Sequence, residues 1–264
     1  LPLLRARRIS DGTALSQEAW ETEFDFVAWI NINNEYLCGG LVWRQHVLTA
    51  ASCLDGVDDS IRVTTATSRG KIRVIHIEVH PDYTSPAGTS GPYDFALLTL
   101  ATPHCNKRTV ALRSAQPAVG SRVKVCGFGV NEHGNYSFEI PVCTDGMPII
   151  KCPGPWPGAT CISSGEDSAA MTCNGDLGGP WFRGESGIVV IDGITSFNYG
   201  GECGSTSRQA GMYSTFMAKP WLEELVPGHF AWMSDPTPPT PAPTPDPTPT
   251  PTPDPTPDPT PAPT

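Results

Sequence analysis

The chain has 264 residues, a formal net charge of −10 and a sequence pI near 5.0. With 26 Gly, 29 Pro and 9 Cys but only 17% charged residues, it is neither a coiled coil nor a helical bundle, which are rich in Ala, Glu, Lys and Leu. The acidic balance offers no basic stripe to a nucleic acid, and no apolar run reaches membrane-spanning length.

The first eight residues, LPLLRARR, end in a dibasic run and read as a pro-segment, residues 1–8. Short Val- and Ile-rich runs separated by Gly, Pro, Asn and Asp follow. They predict strands over Phe26–Ile32, Gly40–Trp43, Lys71–Val79, Phe95–Leu100, Arg122–Gly127, Gly187–Ile194 and Gly211–Phe216. One helix is expected near the end, opened by Pro220, carrying Trp221, Leu222 and Leu225 on one face and stopped by Pro227. Many strands and one helix make the body, residues 9–234, an all-β sandwich or pair of barrels. Residues 235–264 hold only Pro, Thr, Asp and Ala, fifteen of them Pro. With nothing to bury they cannot offset the entropy of folding, and a disordered or polyproline-like tail is expected.

Nine cysteines point to an oxidising compartment, and no C-x-x-C pair suggests a metal site. The sequon Asn135-Tyr136-Ser137 agrees with secretion and marks Asn135 as a glycosylation candidate. No cofactor-binding pattern is evident.

Several local motifs occur in a fixed order. Cys38-Gly39-Gly40-Leu41-Val42 precedes Val47-Leu48-Thr49-Ala50-Ala51-Ser52-Cys53. Tyr93-Asp94-Phe95-Ala96-Leu97-Leu98 comes next, then Cys173-Asn174-Gly175-Asp176-Leu177-Gly178-Gly179-Pro180. Gly193-Ile194-Thr195-Ser196-Phe197 and Gly211-Met212-Tyr213-Ser214 complete the set. Together they resemble the chymotrypsin/trypsin-like serine proteases from Ile9 to about Val226. The resemblance implies two six-stranded antiparallel β-barrels, a cleft between them and a C-terminal helix.

It also implies where working residues belong. The general-base His of T-A-A-H-C is replaced by Ser52, the orienting Asp is Asp94, and the nucleophilic Ser of G-D-S-G-G-P is replaced by Leu177. Leucine has no nucleophilic atom, and a serine hydroxyl cannot shuttle a proton near neutral pH. Losing one such member costs on the order of a million-fold in the subtilisin case. None of His46, His76, His80, His104, His133 and His229 falls in a triad position. The resemblance further implies cleavage after Arg8, pairing of the Ile9 amine with Asp176, and an oxyanion loop from Gly175 to Leu177. Ser10 and Asp11 depart from the usual mature start, so a relic and a retained switch are both open. The specificity pocket would have Met171 at its base and Ser196, Phe197 and Asn198 in its wall, an apolar pocket or simply core packing. Disulfides are implied for Cys38–Cys53, Cys152–Cys161, Cys173–Cys203 and Cys126–Cys143. Cys105 is left over, as a buried free thiol or an intermolecular link.

The Cys152–Cys161 loop carries three Pro and Trp156 at its middle. Trp156 is either a partner-binding anchor or folded back on its own barrel. The expected function is that of a secreted, catalytically inactive homologue that binds another secreted protein, such as a glycoside hydrolase. The glucanase inhibitor proteins of plant-pathogenic oomycetes, which also resemble trypsin and lack a complete triad, are similar. The alternatives are a hydrolase with residual or rearranged activity and a wall- or matrix-associated structural protein.

Overall fold

The computed structural model describes residues 9, 12–33, 36–57, 60–68, 70–84, 91–129, 140–163, 171–200, 203 and 208–234, with the side chains of 36 and 37 excepted. The segments read above as pro-segment and tail, with Arg8, Ser10, Asp11, His133 and Asn135, lie outside the described residues.

The elements run β1 (Thr13–Ala14), α1 (Gln17–Thr22), β2 (Val27–Ile32), β3 (Tyr36–Trp43), β4 (His46–Thr49), a 3-10 turn (Ala51–Leu54), β5 (Ile61–Thr64), β6 (Ile72–Val79) and β7 (Ala96–Leu100). They continue as β8 (Val110–Arg113), β9 (Arg122–Gly127), β10 (Val142–Cys143), β11 (Met147–Lys151), β12 (Ala159–Ser163), β13 (Pro180–Glu185), β14 (Ile188–Tyr199), β15 (Gln209–Ser214), α2 (Thr215–Leu225) and β16 (Ala231–Met233).

Strands β2, β3, β4, β7, β6 and β5 close a six-stranded antiparallel barrel. A second ring runs β9, β11, β12, β15, β14 and β13, closed by pairing of β13 with both β14 and β9. The fold is thus the double antiparallel barrel that the motifs imply. Strand β8 and then β16 add in parallel beyond β14, and β1 adds through β10 to β9.

Alternation along the strands fills each barrel, with Ile30, Leu41, Leu48, Val63 and Leu98 buried in the first and Val125, Ile149, Trp181 and Met212 in the second. Aromatic rings join the two. Phe26, fully buried before β2, meets Phe182 of β13 edge-on at 5.0 Å, and Phe24 meets the same ring at 5.9 Å. Such pairs add to the area they remove from water.

Four differences from the sequence reading have physical causes. Helix α2 starts at Thr215, so Pro220 lies inside it rather than opening it. The start is fixed by packing. Thr215 donates its hydroxyl to the carbonyls of Arg113 and Ile191, and Thr215, Ala218, Trp221 and Leu222 face the core. Phe216 accordingly belongs to the helix and β15 ends at Ser214. Helix α1 has no apolar stripe to betray it. It exists because Ser16 caps the Ala19 amide at 3.0 Å and Trp20 donates its indole N–H to the Val27 carbonyl. Finally, Cys105 is exposed, not buried, while the other eight cysteines form the four expected disulfides.

Replacing Phe26 with Ala opens a void at the barrel junction. The expected cost is about 3–5 kcal/mol, measured as a lowered urea midpoint with an unchanged slope.

Candidate functional site

The cleft between the barrels is organised around a buried carboxylate. Asp94 immediately precedes Phe95 and β7 and is wholly inaccessible to water. Its Oδ1 accepts the Ser52 amide at 2.7 Å, and its Oδ2 accepts the Ser52 hydroxyl at 2.9 Å and the Ser196 hydroxyl at 2.5 Å. Burial raises its pKa, and the hydrogen bonds from Ser196 and Ser52 oppose that rise. The same burial, with the Asp94 charge beside it, pushes the Tyr213 phenol up to about 12.

Ser52 is delivered to Asp94 by the 3-10 turn that follows β4. The neighbouring Cys53 is tied to Cys38 of β3, which fixes that turn on the first barrel. Among the described histidines none hydrogen-bonds to Asp94. His46 contacts His229 at 3.1 Å, His76 contacts Glu78, His80 stacks on Tyr93 and His104 contacts Thr67.

The second half of the cleft is the loop from Cys173 to Gly179. Asp176 is fully buried, and its carboxylate accepts the Gly129 amide at 2.7 Å and the Cys173 amide at 2.8 Å. Burial lifts its pKa to about 6, against those two bonds and the charge of Arg208. Arg208 is itself buried, donates from Nε to the Thr172 carbonyl at 2.7 Å, and has its pKa lowered by burial. Ile9 is fully buried, but among the described residues its amide is not a donor to Asp176. The carboxylate takes its bonds from loop amides instead.

This loop is seated where only glycines allow two backbones to meet. A Cβ on Gly39 would lie 2.7 Å from the Gly179 Cα, and one on Gly178, with φ +80°, would lie 2.1 Å from Thr49 Oγ1. The Gly39 amide donates to the Leu177 carbonyl at 2.7 Å, which stitches the loop to β3. Gly175 takes φ +96°, and among the described residues the N–H groups of Gly175 and Leu177 have no acceptor. Leu177 is half-buried against the core. Beside it a cavity of about 570 Å³ opens toward Ser52, Asp55, Val57, Asn33 and Asn174.

The expected pocket residues lie close together. Met171 is fully buried among second-barrel residues that include Trp181 and Met212. Ser196 is committed to Asp94, and Asn198 accepts a hydrogen bond from the Thr172 hydroxyl. The Phe197 ring covers Gly211, with carbons 2.1–2.6 Å from where a Cβ would stand. Trp156 folds back to stack on Phe197 at 4.8 Å and lies 4.6 Å from Tyr199. Trp156 and Phe197 are therefore brought together, while Leu177 lines the cavity on the Ser52 side. Sequence reasoning missed the hydroxyl contribution of Ser196 and the buried Arg208, whose position depends on a tertiary fold that no local pattern encodes.

The trypsin family model matches residues 16–222, and the chain belongs to that family. It is 28% identical to Glucanase inhibitor protein 3 of Phytophthora infestans over 216 residues, 75% of this chain and 81% of that protein. It is 30% identical to Brachyurin of Leptuca pugilator over 205 residues, 70% of this chain and 86% of that one. It is 27% identical to human Serine protease 56 over 240 residues, 82% of this chain but 38% of that protein. These names include both an inhibitor and a protease.

A raised carboxylate pKa gives Asp176 a definite pH signature. Its contribution to stability is complete below about pH 4 and is lost as pH rises through about 6. Asp176→Asn removes that slope. Between pH 4 and 7 the stability of the natural chain relative to this variant should fall by about 3 kcal/mol, read from urea unfolding at each pH. His46, lowered to about 4 by burial and by His229, acts in the opposite direction, but it is present in both proteins and cancels from the difference.

Proposed function

We propose that this chain is a secreted, non-catalytic member of the trypsin family that works by binding another secreted protein. The observation that carries this reading is the occupancy of the cleft. Asp94 is held by the amide and hydroxyl of Ser52 where a general base belongs, and Leu177 occupies the turn where a nucleophile belongs. A hydroxyl bound to a carboxylate cannot accept and return a proton near neutral pH, and Leu177 has nothing to attack with. The amides of Gly175 and Leu177 alone would support only about a thousand-fold acceleration over water.

Four disulfides support an oxidising, extracellular setting. The likeness to Glucanase inhibitor protein 3 supports an inhibitory role toward a secreted glycoside hydrolase such as a glucanase. Asn135 is proposed as a glycan site, the 1–8 segment as a pro-segment cut after Arg8, and residues 235–264 as a tail without a fixed contact surface. Trp156 is proposed as an edge of the binding surface, stiffened by the Cys152–Cys161 disulfide and its stack on Phe197.

The purified protein should hydrolyse no peptide or ester substrate and take up no serine-directed phosphonate. Stoichiometric labelling would overturn the proposal. Leu177→Ser alone should remain silent, because Ser52 supplies no base. Ser52→His together with Leu177→Ser should give measurable ester hydrolysis with apolar side chains preferred over Lys, since Met171 replaces the anionic pocket base. Binding is tested with purified secreted endoglucanases by calorimetry. There Trp156→Ala should weaken the complex by about 1–4 kcal/mol, while removal of residues 235–264 changes little. Absence of binding to every glycoside hydrolase would remove that partner class.

A further inference from the structure

We propose that Cys105 is a modification site: its thiol forms a mixed disulfide with a small anionic thiol of the glutathione class, whose carboxylates lie in the cavity beside it. None of the residues lining that cavity is shared with the one beside Ser52 and Leu177. The inference therefore stands apart from the binding role proposed above.

The first observation is the setting of the thiol. Cys105 is exposed and free, whereas the other eight cysteines form disulfides. Disulfides form and persist under oxidising conditions, and there an exposed thiol is open to exchange. The backbone that carries it is braced. The Ala101 amide donates to the Arg73 carbonyl at 2.8 Å, and the His104 amide donates to the Arg44 carbonyl at 2.8 Å. On the other side of Cys105, Asn106 accepts the Arg44 amide at 2.8 Å and donates to the Val42 carbonyl at 3.1 Å.

The second observation is the cavity that Cys105 lines, which has a volume of about 590 Å³. That lies within the range of small-molecule sites, about 300–1,000 Å³. Lys71 and Arg73 also line it, and no Asp or Glu does so among the described residues, on a chain whose net charge is −10. Lys71 is held by Asn31 Oδ1 at 3.1 Å and lies over the Trp29 ring at 5.6 Å. Thr65 lines the same cavity. It is 1% exposed, and its hydroxyl has no hydrogen-bond partner among the described residues. Buried donors of this kind are uncommon, and an acceptor entering the cavity completes this one. The Thr67 hydroxyl, 3.2 Å from His104 Nδ1, adds a further polar group to the wall. Two cations and an unmatched hydroxyl beside a thiol suit a ligand that carries both carboxylates and sulfur.

The reaction is a thiol–disulfide exchange with the oxidised, symmetric form of the small thiol. The Cys105 thiolate attacks one sulfur of that disulfide. A new S–S bond forms as the old one breaks, and one equivalent of the small thiol leaves and takes up the proton that Cys105 gave up. Cys105 is oxidised and the departing thiol is reduced, so the electrons balance. A second copy of the chain is the competing partner for Cys105. Each copy carries a net charge of −10, and the two repel.

The test follows adduct formation on the full chain by mass spectrometry, with oxidised glutathione, cationic cystamine and neutral hydroxyethyl disulfide as probes. The field of the whole chain favours the cationic probe, so a preference for the anionic one reports the local cations. Oxidised glutathione should react about tenfold faster than cystamine at low salt, with the gap narrowing as salt is added. Arg73→Gln should slow the glutathione reaction about two- to fivefold, the range of an exposed ion pair, and leave hydroxyethyl disulfide unchanged. Cys105→Ser should abolish the adduct. The inference fails if cystamine or hydroxyethyl disulfide reacts as fast as glutathione. It fails equally if Arg73→Gln slows all three probes alike or none, if Cys105→Ser still takes up glutathione, or if a disulfide-linked dimer is the main product with glutathione present.

Discussion

A carboxylate shut away from water has to be answered by hydrogen bonds, and in this protein the answer determines how the two barrels meet. Asp94 belongs to the first barrel, Ser52 to the turn after β4, and Ser196 to β14 of the second. Among the described residues no cation hydrogen-bonds to Asp94, and these three donors carry the compensation. Desolvation of an ion costs several kcal/mol even after relaxation, so each of those donors is worth more here than at the surface. Ser52 is thus a structural partner of this carboxylate. It bonds the carboxylate at two points, and a side chain without a donor here would leave Oδ2 with the Ser196 hydroxyl alone.

The same logic governs the loop from Cys173 to Gly179. A second buried carboxylate, Asp176, draws the Gly129 and Cys173 amides to itself and so fixes the loop around it. The glycine contacts between Gly39 and Gly179 and between Gly178 and Thr49 bring that loop onto the first barrel. Neither device requires a reactive serine. The scaffold of this loop therefore does not depend on the side chain at position 177, and its stability varies with pH through the titration of Asp176.

Strands could be read directly because period-two burial marks the residues that enforce it, and the glycine motifs were legible through their likeness to a known family. Ile30, Leu41 and Leu98 mark the barrel interior, and Gly39 and Gly178 mark contacts that no Cβ permits. The start of α2 could not be read, because Pro220 reads locally as a helix start while distant partners, the carbonyls of Arg113 and Ile191, fix the start at Thr215. Arg208 was equally hidden. Nothing in its neighbours along the chain foretells a guanidinium buried within electrostatic reach of Asp176. The exposed Cys105 likewise depends on the path of the connection between β7 and β8, which carries little periodicity. The barrel interior was legible because its burial pattern lies along single strands, whereas the start of α2 and the burial of Arg208 rest on partners distant in sequence.

Catalysis and recognition make different physical demands on a cleft of this kind. Proton transfer needs an imidazole with a pKa near the working pH and a nucleophile in line with it, and no rigidity elsewhere compensates for their absence. Recognition needs a stiff concave surface with unmatched donors and apolar walls. Four disulfides, the Phe197–Trp156 stack and the Asp176-braced loop supply stiffness independently of Ser52 and Leu177. Leu177 adds apolar surface beside two open amides, a combination that a polar triad at the same place would hydrate. An amide beside such apolar surface competes with less water for a hydrogen bond than one beside a polar side chain.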